Sequence, residues 1–182
     1  MADFVWNMLE IASLHGDIRK SWADQLGVSE AQWLILMATG ISDAGLKELA
    51  ALPELQSLDL SNTQVTNAGL KHLRALKKLQ SLVLTNTAVT DAGMKDIKEF
   101  EQMQMLFLAQ TKITDASLKE LKDCSKLRTL SLTGTTVSDE GIQELQSCKQ
   151  LERLYVARTR VTGTGVAELK KALPKCMIQL QR

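Results

Sequence analysis

Apolar residues return along this chain in a frame that repeats every 24 residues. One column holds Leu34, Leu58, Leu82, Leu106, Leu130, Leu154 and Ile178; a second, two residues on, holds Leu36, Leu60, Leu84, Leu108, Leu132, Val156 and Leu180. Alternate residues of a strand share a face. Each L-x-L therefore predicts one short strand with its leucines inward, and the fixed period predicts seven strands stacked in parallel. Five residues after each first leucine stands Thr39, Thr63, Thr87, Thr111, Thr135 or Thr159. A buried hydroxyl at a bend can bond the backbone of its own or the next turn, so this column reads as a threonine ladder.

The chain then returns. Ile41, Val65, Val89, Ile113, Val137 and Val161 turn back into the core, and the residue after each, Ser42, Thr66, Thr90, Thr114, Ser138 or Thr162, is suited to cap a helix. Asp43, Asn67, Asp91, Asp115 and Asp139 follow, where polar groups suit the positive end of a helix. Pairs such as Leu46/Leu49, Leu70/Leu73, Met94/Ile97, Leu118/Leu121, Ile142/Leu145 and Val166/Leu169 predict the buried side of that helix, with Lys47-Glu48 and Lys119-Glu120 on its solvated face.

The run Leu-x-x-Leu-x-Leu-x-x-Thr-x-Val-Thr-Asp-Ala-Gly-Leu resembles the ribonuclease-inhibitor-like and cysteine-containing branch of the leucine-rich repeat family, in its short bacterial form. The resemblance covers roughly residues 28–182. It implies a right-handed α/β solenoid with a concave parallel sheet and convex helices, and a role in binding other proteins on the concave side. Two departures stand out: Ser117 replaces the glycine found at Gly45, Gly69, Gly93, Gly141 and Gly165, and Gly163-Thr164 replaces Asp-Ala in the last copy. Both read as local irregularities.

Residues 1–27 do not obey the frame. Phe4, Met8, Ile11, His15, Ile18 and Trp22 alternate at spacings of four and three, an amphipathic helical pattern. A solenoid must cover its terminal core, so this segment is expected to cap the repeats of 28–182. A second resemblance, over Asp17–Trp22 and Leu26–Leu36, is to the first helix and turn of MarR-type regulators and implies a dimerising helix. The winged-helix continuation is absent, because from Ile41 the repeat frame takes over, and Trp33–Met37 already fits it as a strand.

Composition narrows the function classes. The 182 residues are 45% hydrophobic with 4% aromatics and a net charge of +1, which suits one leucine-rich core and gives no global reason to expect nucleic acid or a membrane. Charge is nonetheless uneven: residues 1–60 hold nine acids and three bases, residues 149–182 two acids and eight bases. The start of the chain has no basic leader and no spanning segment, so the reading favours a bacterial cytoplasm. Cys124 and Cys148 fall one period apart and read as core neighbours, reduced and apolar; Cys176 is expected to be accessible. His15 and His72 lie far apart in the frame, so no triad, metal cluster or cofactor site is expected. Thr162-Gly163-Thr164-Gly165 has glycines before a helix but lacks the P-loop lysine.

Function should then lie on the outward strand positions. These include Ser57, Ser81, Met105, Thr129, Arg153 and Met177 in one column and Asp59, Val83, Phe107, Ser131, Tyr155 and Gln179 in the next. A solvent-facing strand position has no folding reason to be Phe or Met. Val83, Met105, Phe107 and Tyr155, bordered by Arg153, Arg158 and Arg160, form the candidate partner-binding set. The expected function is a non-enzymatic module that binds a protein partner. The alternatives are a dimeric regulator whose MarR-like helices pair while the repeats sense or recruit a factor, and an enzyme built on Cys124 and Cys148. The last strand, Met177–Arg182, is expected to present an open edge, with the protein a monomer or weak homodimer.

Overall fold

The computed structural model describes residues 41–122 and 124–180 and the backbone of Leu34–Ile35. The amphipathic stretch of 1–27, and with it His15 and Trp22, lies outside the described residues, as do Trp33, Leu36, Thr39 and most of the MarR-like span.

Each turn of the coil contributes one strand and one helical segment. The strands are β1 (Leu34–Ile35), β2 (Ser57–Asp59), β3 (Ser81–Val83), β4 (Met105–Phe107), β5 (Thr129–Ser131), β6 (Arg153–Tyr155) and β7 (Met177–Gln179). They form one parallel sheet in sequence order. The register shifts by one period per strand, so Leu58, Leu82, Leu106, Leu130, Leu154 and Ile178 lie side by side. Leu34 pairs with Leu58, which makes Leu34–Ile35 strand as the frame predicts.

The helices are α1 (Asp43–Leu49), α2 (Asn67–Leu70), α3 (Met94–Ile97), α4 (Asp115–Leu121), α5 (Asp139–Gln143) and α6 (Gly163–Ala172). They are less regular than the apolar spacing predicts. A 3₁₀ turn extends α2 over Lys71–Ala75 and α5 over Glu144–Ser147, and another leads into α3 over Asp91–Gly93. A tighter turn fits a return path that must close within 24 residues. The inward leucines of the strands and the buried helix pairs meet in one core, where Leu58, Leu82, Leu106, Leu130, Leu46, Leu70 and Leu118 are fully buried.

The threonine column bonds within its own turn. Thr63, Thr87, Thr111, Thr135 and Thr159 each donate to the carbonyl three residues back, at 2.6–2.7 Å. Backbone pairing continues past the strands: the amide of Asn86 donates to Ala109 at 2.9 Å and that of Gln110 to Thr133 at 2.8 Å. A second ladder follows on the return path, with Ala88 donating to Val65, Lys112 to Val89 and Arg160 to Val137. These bonds answer the backbone of a chain that bends too often for long strands.

The aspartate column does more than face a helix terminus. Asp43 accepts the Thr66 amide (2.7 Å) and hydroxyl (2.6 Å), so it grips the cap of the next turn. Asp91 holds Thr114, Asp115 holds Ser138, and Asp139 holds Thr162 in the same two-pronged way, while Asn67 accepts the Thr90 amide and donates to its hydroxyl. The gripped hydroxyls of Thr66, Thr90, Thr114 and Thr162 also accept from helix amides, whereas Ser42 and Ser138 make no such cap.

The clamp explains the glycines. A Cβ on Gly69, Gly141 or Gly165 would strike the aspartate of the preceding turn, and one on Gly93 would come within 2.6 Å of the Asn67 oxygen. Ser117, expected to be an irregularity, instead joins the clamp by donating its hydroxyl to Asp91. Gly163, which takes the column's place in the last copy, has no side chain with which to make this contact.

Candidate functional site

Sheet geometry sets the outward side chains in rows. Ser81, Met105, Thr129, Arg153 and Met177 form one row, and Val83, Phe107, Ser131, Tyr155 and Gln179 the next. Large and small alternate by strand: β4 carries Met105 and Phe107, β5 Thr129 and Ser131, β6 Arg153 and Tyr155. Thr129 and Ser131 point out of the sheet yet are only 6% and 7% exposed. Neighbouring strands stand about 4.8 Å apart, so the long side chains on β4 and β6 flank the small ones of β5 in register. Met105, Phe107 and Tyr155 thus belong to one surface spanning three strands rather than to isolated exposed positions. Met105 is 36% exposed, Phe107, Tyr155 and Val83 are half-buried, and Arg153 is exposed.

Arg158 and Arg160 occupy a different place. They follow β6 on the bend and return path, so the seven candidate residues divide into five on the sheet face and two along its adjoining edge. Both arginines are exposed. Among the described residues Arg153, Arg158 and Arg160 form no ion pair, whereas Arg128 pairs with Glu152 at 2.8 Å.

The bend itself carries a signal that the apolar columns do not contain. Asn62, Asn86, Gln110, Gly134 and Arg158, one period apart, all adopt positive φ, between 54° and 71°. Glycine and asparagine tolerate this region, and glutamine and arginine do so poorly. The Asn-Asn-x-Gly character of the column was the available clue. It places Gln110, and Lys112 two residues on, along the same edge as Arg158 and Arg160.

The cysteine readings divide. Cys124 and Cys148 are buried in the core and are not joined in a disulfide. Cys176, expected to be accessible, is buried at 3% exposure, and burial pushes its thiol up to about 11, so it is a poor nucleophile. The reason is that α6 runs longer than its counterparts: Cys176 donates its amide to Leu173 as Leu151 does to Cys148. His72 is exposed beside α2. Among the described residues no group of three or more His, Cys, Asp or Glu is placed to hold a metal ion, and no helix is long and apolar enough to cross a membrane.

Comparison with known proteins follows the same repeat. A leucine-rich repeat family model matches residues 52–73, 75–98 and 123–145. No curated protein matches the sequence significantly. Among solved structures, internalin C2 of Listeria monocytogenes aligns with a TM-score of 0.59 at 24% identity, covering 74% of this chain and 55% of that one. Another internalin of the same organism gives 0.62 at 22%, covering 72% and 36%. A leucine-rich repeat protein of Leptospira interrogans gives 0.51 at 23%, covering 73% and 39%. The chain thus spans between about a third and just over half the length of these structures, and at such identities the likeness speaks for the fold. Together with a strand and a helical segment in every 24-residue turn, the matching repeats give this chain the fold of a leucine-rich repeat solenoid and support its kinship with the leucine-rich repeat family.

Proposed function

We propose that this protein is a non-enzymatic module that recognises another protein on its concave sheet face, through Val83, Met105, Phe107, Arg153 and Tyr155, with Arg158 and Arg160 at the border. One observation carries the reading: Met105 and Phe107 on β4 and Arg153 and Tyr155 on β6 stand in register on either side of Thr129 and Ser131, large side chains at outward positions where folding calls for none. Aromatic and arginine residues carry a large share of interface energy, and leucine-rich repeats suggest a protein-interaction module. The chemistry of the described residues supports binding better than catalysis, since the thiols are buried and the exposed histidine stands without a cluster.

The test is capture from native cells with the wild-type protein and with Phe107→Ser/Tyr155→Ser as bait. A protein retained by the first and lost by the second, while circular dichroism is unchanged, supports the reading. Equal capture by both moves the site to the helices or the edge loops.

A further inference from the structure

The edge beside the sheet face points to the kind of partner. We propose that the face takes an acidic protein segment with an apolar anchor, the anchor seated on Phe107 and Tyr155 and the acidic part lying along the bends that follow β4, β5 and β6. This rests on the sheet-face reading above and adds the chemistry of the occupant.

Three observations converge. The first is where the cations begin. In the two bend columns the earlier turns offer Asn62 and Gln64, then Asn86 and Ala88, with no charge. From β4 onward the same columns hold Lys112, Arg158 and Arg160, beside the strands that carry the large outward side chains. The second is pairing. The cations of the described ion pairs, Arg74, Lys78, Lys98, Arg128 and Lys171, lie elsewhere. Among the described residues Lys112, Arg153, Arg158 and Arg160 form none, so an incoming carboxylate need not displace an internal one.

The third is strain. Arg158 sits at φ 54° in a column that otherwise holds Asn62, Asn86, Gln110 and Gly134. The left-handed region disfavours a residue of this kind, and such strain is commonly retained where a side chain has work to do. Between the two side chains that flank it, Gly134 leaves the bend low: it is exposed, and a Cβ there would approach the Gln110 side chain at 3.3 Å. The result is a shallow crossing with a cationic far wall.

A carboxylate suits this wall better than a nucleic acid backbone does. Guanidinium groups pair with single carboxylates through two parallel hydrogen bonds. Nucleic acid binding usually neutralises on the order of 6–10 phosphates, whereas this surface offers a few cations, with Glu152 and Asp59 at its margins.

The experiment selects a displayed library of random peptides of about 12 residues on the full chain. The expected result is peptides in which Asp or Glu accompanies a large apolar residue. Their affinity should fall at least tenfold on Arg158→Glu/Arg160→Glu and decline as salt rises. Reselection on that variant, with its fold checked by circular dichroism, should enrich Lys or Arg instead. Peptides that depend on Phe107 and Tyr155 but show no acidic bias, and bind the arginine variant equally, overturn this inference and leave the sheet-face reading intact. Peptides indifferent to Phe107→Ser/Tyr155→Ser, or no enrichment over a blank surface, count against both. A single-stranded oligothymidylate held more tightly than any selected peptide, and released by the arginine variant, replaces the protein partner with nucleic acid.

Discussion

A carboxylate that grips the cap of the next turn crowds a Cβ beside it, and this conflict accounts for the glycines at Gly69, Gly141 and Gly165. At Gly141 an added methyl would press on Asp115, including its backbone at 3.0 Å. Gly141→Ala should therefore cost about 1–3 kcal/mol by urea denaturation, as overpacking does, and Asp115→Ser in the same chain should recover part of it. Position 117 resolves the conflict differently, because its hydroxyl becomes a donor. Burial favours the protonated form of Asp91, yet hydrogen bonds from Ser117 and Thr114 outweigh it and leave its pKa below the ordinary 3.8. A depressed carboxyl stabilises the fold above its unfolded value, and that contribution fades as pH falls through the lower folded value. Ser117→Ala should raise the Asp91 pKa, so that its share of stability is lost at a higher pH; an NMR titration of Asp91 in both proteins reads the shift.

At the scale of elements, one turn is tied to the next on both sides of the core. Arg74, beside α2, reaches Asp96 on α3 at 2.5 Å, and the Asp96 side chain is only 3% exposed. Arg74→Met strands a buried carboxylate and should cost on the order of 3 kcal/mol, whereas Arg74→Met/Asp96→Leu should restore most of it; thermal melts of the three proteins decide. Strand and helix positions were legible in the sequence because leucine columns record burial directly, and the threonine ladder because a polar column inside an apolar frame needs a partner. The clamp was not legible. Asp43 and Asp115 sit where a helix start explains them locally, and their real partners are 23 residues away. The face over β4–β6 was readable as outward Phe107 and Tyr155, but the burial of Thr129 and Ser131 between them is something no column reveals. Cys176 misled for a related reason: a longer α6 moved it out of frame and into the core.

The described residues form a stack in which each turn meets mainly its neighbours, seven strands long and on the order of 30 Å from first to last. In such a stack the end turns decide how far fraying penetrates. The proposal that residues 1–27 cap the first turn predicts that Trp22→Ala lowers stability by roughly 2–5 kcal/mol without weakening partner capture; calorimetry and the capture assay read the two effects separately. The same stack separates its surfaces, with helices on one side of the core and the outward rows of β4–β6 on the other. The central claim is that recognition belongs to the second. The most direct measurement is the dissociation constant of a partner captured by the wild type, compared between Phe107→Ser/Tyr155→Ser and a helix-side control, Lys95→Ala/Lys119→Ala, with all three proteins folded by circular dichroism. A loss of a few kcal/mol for the sheet-face variant and none for the control is expected. The reverse pattern contradicts the account.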